Sequence, residues 1–190
     1  MGDHDGSTVR VEDFRAAMEQ HRAQRTSQPQ QFSPPMATAP GVTVLSTVCG
    51  AGHVNQPAVA ECRVCGQPIS PDSLQQRPRP ALAVAAMPNG QRIELDDGVI
   101  FGRRPRARTA GSAAQLIVVE SPQEDISRSH LELRIDDWDI VAEDLGSTNG
   151  TMLERPGQPP QRLRPESPVF VQVGDRLDLG EGVVVEVAAP

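Results

Sequence analysis

Two groups of residues in this chain carry types and spacings that could do chemistry. The first is Cys49-x3-His53-x8-Cys62-x2-Cys65. Cys62-Arg63-Val64-Cys65-Gly66 has the form of a metal knuckle. The short gap lets both thiolates face one ion, and Gly66 lets the backbone turn beneath it. Cys49 and His53 enclose Gly50 and Gly52, which bend the chain toward a second ligand pair. Three thiolates and one imidazole make a closed tetrahedral set suited to structural Zn2+, with no open position for a substrate. The competing reading is a redox dithiol at Cys62 and Cys65. A redox motif of thioredoxin type would sit in a βαβ unit, and no such pattern surrounds this one. The segment is too short for a core of its own, so metal binding would supply its folding energy.

The second group is spread over three stretches: Gly102-Arg103, Ser127-Arg128-Ser129-His130 and Asp144-Leu145-Gly146-Ser147-Thr148-Asn149-Gly150-Thr151. Asn149-Gly150 is a strong turn dipeptide, but a plain hairpin needs only that pair. The surrounding hydroxyls and amides suggest a surface that grips a polar ligand.

The three stretches, in this order, resemble the forkhead-associated (FHA) domain, a β-sandwich that reads phosphothreonine. The resemblance spans roughly Pro80 to Ala188, and with the arm and cysteine segment it looks like FHA proteins of actinobacterial type. It implies phosphopeptide binding by Arg103, Ser127, Arg128, Thr148 and Asn149. Asn149 would hold the ligand's main chain. It also implies structural support from Gly102, His130, Gly146 and Gly150, with His130 bonding loop to loop. The partners implied are phosphothreonine proteins marked by a Ser/Thr kinase, or the kinase itself. Some FHA proteins of this type carry a phosphorylated threonine in an acidic N-terminal arm that folds back onto the domain. Thr8, among Asp3, Asp5, Glu12 and Asp13, is the matching candidate.

Two features depart from the common pattern. The interval from Gly102 to Ser127 is long and contains Arg104, Arg106 and Arg108. It reads as a basic, mobile loop able to steer acidic phosphopeptides. Asp125 stands where members that prefer an acidic residue after the phosphothreonine carry a basic group, so it would repel such a ligand.

The elements that must position these groups are strands. Short β-type runs separated by turn signals are expected near 81–86, 91–95, 99–101, 115–120, 131–135, 139–143, 151–153, 169–172, 176–179 and 183–187. No long helical pattern interrupts them, which argues for an all-β sandwich over 80–190. Leu131, Leu133 and Ile135 alternate with Glu132 and Arg134, giving that strand one wet face. Trp138 is expected to pack against a sheet. Upstream, 1–48 reads as a largely disordered arm with a possible helix over 9–24, where Val11, Phe14 and Met18 share a face. The zinc-ribbon-like segment covers 49–69, and 70–79 reads as a linker.

Composition bounds the rest. The chain of 190 residues has 18 basic side chains, all Arg, against 25 acidic ones, for a formal charge of −7. That balance argues against general nucleic-acid or acidic-membrane binding. No apolar run approaches a membrane span, and the acidic N-terminus does not read as a secretory leader. Three cysteines cannot all pair within one chain, which favours a reducing, cytoplasmic setting. No Ser/His/Asp or Cys/His arrangement suggests an enzyme. The alternative to a phosphothreonine adaptor is a scaffold that binds partners through the sandwich and ribbon without phosphate.

Overall fold

The computed structural model describes residues 42–95 and 98–190. The expected arm helix over 9–24, Thr8 and most of the expected arm lie outside the described residues. Leu45–Arg77 and Pro78–Pro190 fall in separate compact units.

The first unit is a small antiparallel arrangement. β1 (Thr43–Val48) is the centre of a three-stranded sheet, with β2 (Val54–Asn55) on one side and β3 (Gln75–Pro78) on the other. A single 3-10 turn, Pro71–Ser73, precedes β3 and is capped by Ser70, whose side chain accepts the Asp72 N–H. Strand thus stands at Thr43–Val48, where the arm is expected, and at Gln75–Pro78, within the expected linker. The buried apolar cluster of this unit holds only Cys49, Cys62 and Ile69, flanked by Val59 and Val64. That is far too little apolar burial to hold a domain together by itself.

The second unit is built from two sheets. In chain order its strands are β4 (Val84–Ala86), β5 (Arg92–Glu94), β6 (Val99–Gly102), β7 (Gln115–Val118), β8 (Leu131–Asp136), β9 (Asp139–Asp144), β10 (Met152–Glu154), β11 (Gln161–Arg162), β12 (Val169–Val171), β13 (Arg176–Asp178) and β14 (Val184–Ala188). One sheet runs β11-β10-β13-β14-β4-β5 and the other β12-β9-β8-β6-β7. All pairings are antiparallel except β6 with β7. Each of the ten expected strands of this unit has an observed counterpart. β11, which was not expected, is a two-residue polar pairing.

Strand alternation builds the core. Val99 and Phe101 of β6, Leu131 and Leu133 of β8, and Ile140 and Ala142 of β9 enter one buried cluster. Ala85, Ile93, Leu153, Leu177, Val185 and Val187 enter it from the other sheet. Burying such side chains stabilises by about 1.5–3 kcal/mol for each large one, which is what holds the sandwich closed. The fold is all-β, as its alternating pattern requires.

The opposite face of β8 is not open to water. Arg108 Nη1 reaches Glu132 Oε2 at 2.9 Å and Glu143 Oε1 at 2.8 Å, and Arg134 Nη1 reaches Glu143 Oε2 at 2.8 Å. Glu132 and Glu143 are largely buried beneath these guanidinium groups. This corrects two expectations. The face carrying Glu132 is covered, and the arginine-rich stretch after β6 is tied to the sheet through Arg108. The same stretch then enters β7, so part of the long interval is regular structure. Trp138 is buried in the turn between β8 and β9. No helix among the described residues is long and apolar enough to cross a membrane.

Candidate functional site

The site begins where β6 runs out at Gly102. From there the chain stays paired with the segment that precedes β8. His130 N–H donates to Phe101 O at 2.8 Å, Arg103 N–H to Ser127 O at 3.1 Å, and Arg104 N–H to Arg128 O at 3.1 Å. The two backbones are so close that a Cβ on Gly102 would lie 2.1 Å from Arg128 O and 2.9 Å from Ser127 O. Gly102 is therefore required by close approach of a neighbouring backbone. The need for glycine at 102 is thus one of packing across the loop.

His130 is fully buried and joins the second loop to the third. Ser127 N–H donates to its Nδ1 at 3.2 Å. With Nδ1 accepting, the proton sits on Nε2, which donates to Gly150 O at 3.3 Å. Burial holds the imidazole below its ordinary pKa of 6.5, against the opposing pull of Asp144 and the Gly150 carbonyl. A neutral ring is the form this bonding pattern needs.

Asp144 organises the third loop from inside. Its buried carboxylate accepts Ser147 N–H at 2.8 Å, Ser147 Oγ–H at 2.7 Å and Thr151 Oγ1–H at 2.7 Å. Ser147 Oγ in turn accepts Gly150 N–H at 2.9 Å. Both ends of the turn are thus tied to one side chain. Gly146 and Gly150 have φ of 73° and 78°, in the region that favours glycine. Arg162 closes the loop from outside: its Nη2 donates to Asn149 O at 2.7 Å.

These constraints bring Ser127 and Thr148 together. Thr148 N–H donates to Ser127 Oγ at 3.0 Å, and the two hydroxyl oxygens are 3.4 Å apart. Thr148, Asn149 and Arg128 are exposed. Arg103 is bonded to Ser127 through its backbone, and its Nη1 lies 3.1 Å from Glu124 Oε1. Asn149 Nδ2 donates to Asp125 O at 3.1 Å and to Asp125 Oδ1 at 3.2 Å. Of the five ligand-binding candidates, Ser127 and Thr148 are in direct contact, and Arg103 joins Ser127 through the main chain. Asn149 reaches the 125–127 segment through Asp125, and Arg128 contributes its carbonyl to the Arg104 pairing. Sequence reasoning missed the parts of Asp144, Ser147, Thr151, Arg162 and Glu124. Asp144, Ser147 and Thr151 stood within the motif, but only the fold shows what they bond.

Residues 99–180 match the FHA domain family. The chain carries an FHA domain. Among solved structures, it is similar to one described as an analysis of phosphothreonine-dependent FHA domain interactions, at 23% identity and a TM-score of 0.39, covering 57% of this chain and 96% of that one. It is similar to Mycobacterium tuberculosis EmbR in complex with a low affinity phosphopeptide, at 21% identity and a TM-score of 0.42, covering 59% of this chain but only 26% of that one. A third likeness is to the FHA domain of an Arabidopsis thaliana protein, at 24% identity and a TM-score of 0.40, covering 57% of this chain and 87% of that one. No curated protein matches the chain.

The first unit holds the other chemical cluster. Cys49, His53, Cys62 and Cys65 each present one ligand atom, and all four atoms lie within 4.8 Å of one another. Cys49 Sγ is 3.5 Å from His53 Nδ1 and 3.8 Å from Cys65 Sγ, and Cys62 Sγ is 3.6 Å from His53 Nδ1. This donor set could hold a metal ion. Burial acts to raise the Cys62 thiol, but the backbone N–H groups of Cys65 and Val64 and the Asn55 amide outweigh it and bring its pKa to about 6. Cys62 is therefore set up as a thiolate near neutral pH, the form a metal binds. Asn55 braces the cluster: its amide donates to His53 O at 2.9 Å and to Cys62 Sγ at 3.6 Å, and its Oδ1 accepts Arg63 N–H at 3.0 Å.

Proposed function

We propose that the chain is a binding module that captures phosphothreonine peptides at the loops 102–104, 127–130 and 146–150, as an adaptor in Ser/Thr kinase signalling. The observation that carries this reading is the Ser127–Thr148 contact beside Arg103, held in place by His130 and Asp144. A phosphoryl group has about −1.5 to −2 charge and three acceptor oxygens. Two hydroxyls and a guanidinium in adjoining loops match it in charge and in donor type. Arg128 and Asn149 belong to the same proposed surface, with Gly102, His130, Gly146 and Gly150 as its frame. Capture of this kind breaks and forms no covalent bond, so the proposed role is recognition. Three free thiols fit a reducing, cytoplasmic setting.

The first unit is proposed to be a structural zinc module running over 45–77. A tetrahedral ion with Zn–S near 2.3 Å and Zn–N near 2.05 Å requires S···S edges of about 3.8 Å and S···N edges of about 3.6 Å. The Cys49–Cys65, Cys49–His53 and Cys62–His53 distances of 3.8, 3.5 and 3.6 Å fit those edges. Zn2+ bound by Cys49, His53, Cys62 and Cys65 would supply the folding energy that the small apolar cluster lacks.

A second reading is a phosphate-independent scaffold. It is favoured by the contacts of Arg103 with Glu124 and of Asn149 with Asp125, which give both side chains partners within the chain. Capture from a phosphothreonine peptide library and from its unphosphorylated twin separates the two. Preference for the phosphorylated set supports the adaptor, and equal capture supports the scaffold.

A further inference from the structure

Glu124 and Asp125 are consecutive, and each holds one of the side chains best suited to grip a phosphopeptide. Glu124 Oε1 is 3.1 Å from Arg103 Nη1, and Asp125 accepts the Asn149 amide on both its carbonyl and its carboxylate. Arg103 is not saturated by this: its buried Nε has no hydrogen-bond partner among the described residues.

The loop that presents these two residues is braced rather than loose. Glu181 bonds both Ser121 Oγ and the Gln123 N–H. Ser121 Oγ accepts Ile126 N–H at 3.0 Å, and Ser121 O accepts Glu124 N–H at 3.0 Å. The chain thereby holds Glu124 at φ 59°, a region that a residue with a Cβ disfavours. The Glu124 side chain is 68% exposed, so no apolar burial offsets that strain.

We propose that Glu124 and Asp125 are resident competitors that occupy Arg103 and Asn149, so that a dianionic phosphoryl group flanked by neutral or basic residues displaces them and a carboxylate does not. This rests on the phosphopeptide reading and names its ligand class. A glutamate or aspartate on a peptide offers Arg103 only what Glu124 already gives, and Glu124 has the advantage of being tethered. A phosphoryl group brings more charge and can take Nη1 and the unpartnered Nε together. Acidic residues beside it would meet Asp125. A cleft of about 370 Å3 lined by Arg103, Arg104, Glu120, Ser121 and Glu124 leaves space beside the guanidinium for the exchange. Because the ion pair is exposed and screened, its removal should change affinity by about two- to fivefold.

The test titrates inorganic phosphate into the full chain and into Glu124→Gln at pH 7.5, following the Arg103 side-chain Nε–H resonance in 0.02 and 0.5 M salt (about 20 and 4 Å of Debye length). Glu124→Gln is expected to bind phosphate about two- to fivefold tighter at low salt, with the ratio shrinking at high salt. Equal affinity, or no phosphate binding to either chain, overturns the proposal. A second arm uses one peptide sequence with phosphothreonine or glutamate at the same position. The variant E124Q/D125N should narrow the preference for phosphothreonine, and an unchanged preference overturns the discriminating role. Failure of the underlying reading looks different: Glu124→Gln still tightens phosphate, while neither chain prefers a phosphothreonine peptide over its unphosphorylated twin.

Discussion

The Ser127 hydroxyl oxygen accepts the Thr148 backbone N–H at 3.0 Å, although 21 residues separate the two in sequence. That bond joins the loop before β8 to the loop after β9, and it sets two hydroxyls side by side at 3.4 Å. The arrangement depends on groups beneath it. His130 accepts Ser127 N–H and donates to Gly150 O, while Asp144 fixes Ser147 and Thr151. The predictions below follow from this layering.

Asp144 accepts three hydrogen bonds in a site with no solvent exposure. Asp144→Ala would leave two buried hydroxyls and a backbone N–H without their acceptor. Each such bond to a charged group is worth about 1.5–3 kcal/mol. Urea unfolding of the variant should show a loss of about 3 kcal/mol or more. A loss below about 0.5 kcal/mol, the range of ordinary surface changes, would show that Asp144 does not organise the loop.

His130 gives the fold a pH dependence with a defined sign. Burial lowers its pKa in the folded chain, whereas the unfolded chain titrates near the ordinary value of 6.5. The unfolded state therefore binds a proton first as pH falls. The stability contributed by neutral His130 is fully present above about pH 6.5 and is lost as pH drops through the lower folded value. Denaturation midpoints measured from pH 7.5 to 5 should decline, and His130→Gln should decline less over that window. Parallel declines in both chains would contradict this assignment.

Gly102→Ala should disrupt the site although the change is a single methyl group. The added Cβ would meet the Arg128 carbonyl, which is backbone and cannot rotate away. Overpacking of this kind costs about 1–3 kcal/mol. Amide exchange should accelerate at Arg103, Arg104 and His130, whose N–H groups bridge the two segments. Unchanged exchange at those three positions would mean that the backbones can separate without loss.

Metal removal tests the first unit. With only Cys49, Cys62 and Ile69 in its buried apolar cluster, the unit should unfold when chelated, and amide shifts should collapse over 45–77 while those of 84–188 persist. Cys62→Ser should abolish stoichiometric Zn2+ binding. A chelated chain whose 45–77 resonances stay dispersed would contradict the zinc proposal.

Much of the sandwich was legible because its strands alternate. Leu131, Leu133 and Ile135 against Glu132 and Arg134 announce a strand without any partner in view. β3, Gln75–Pro78, carries no such alternation, since it is held by backbone pairing at a sheet edge and ends in proline. β11 is two polar residues and gives no signal at all. Thr43–Val48 is rich in β-branched residues, but it adjoins a Pro- and Gln-rich stretch and reads as part of it. In the site, residue types identified the hydroxyls, arginines and glycines. They did not show that Arg108 is drawn to Glu132 and Glu143, or that Glu124 lies on Arg103. Those are long-range charge pairings, and a linear charge pattern does not specify partners.

The most direct test of the central claim is the affinity of one phosphothreonine peptide, selected from a library, against wild type, Arg103→Ala and Ser127→Ala. Each substitution removes a charge-assisted donor worth about 1.5–3 kcal/mol, so each should weaken binding by about ten- to a hundredfold, with the unfolding midpoint little changed. The unphosphorylated peptide should bind none of the three. Wild-type affinity in both variants, or equal binding of the two peptides, would contradict the claim that Ser127, Thr148 and Arg103 together hold a phosphoryl group.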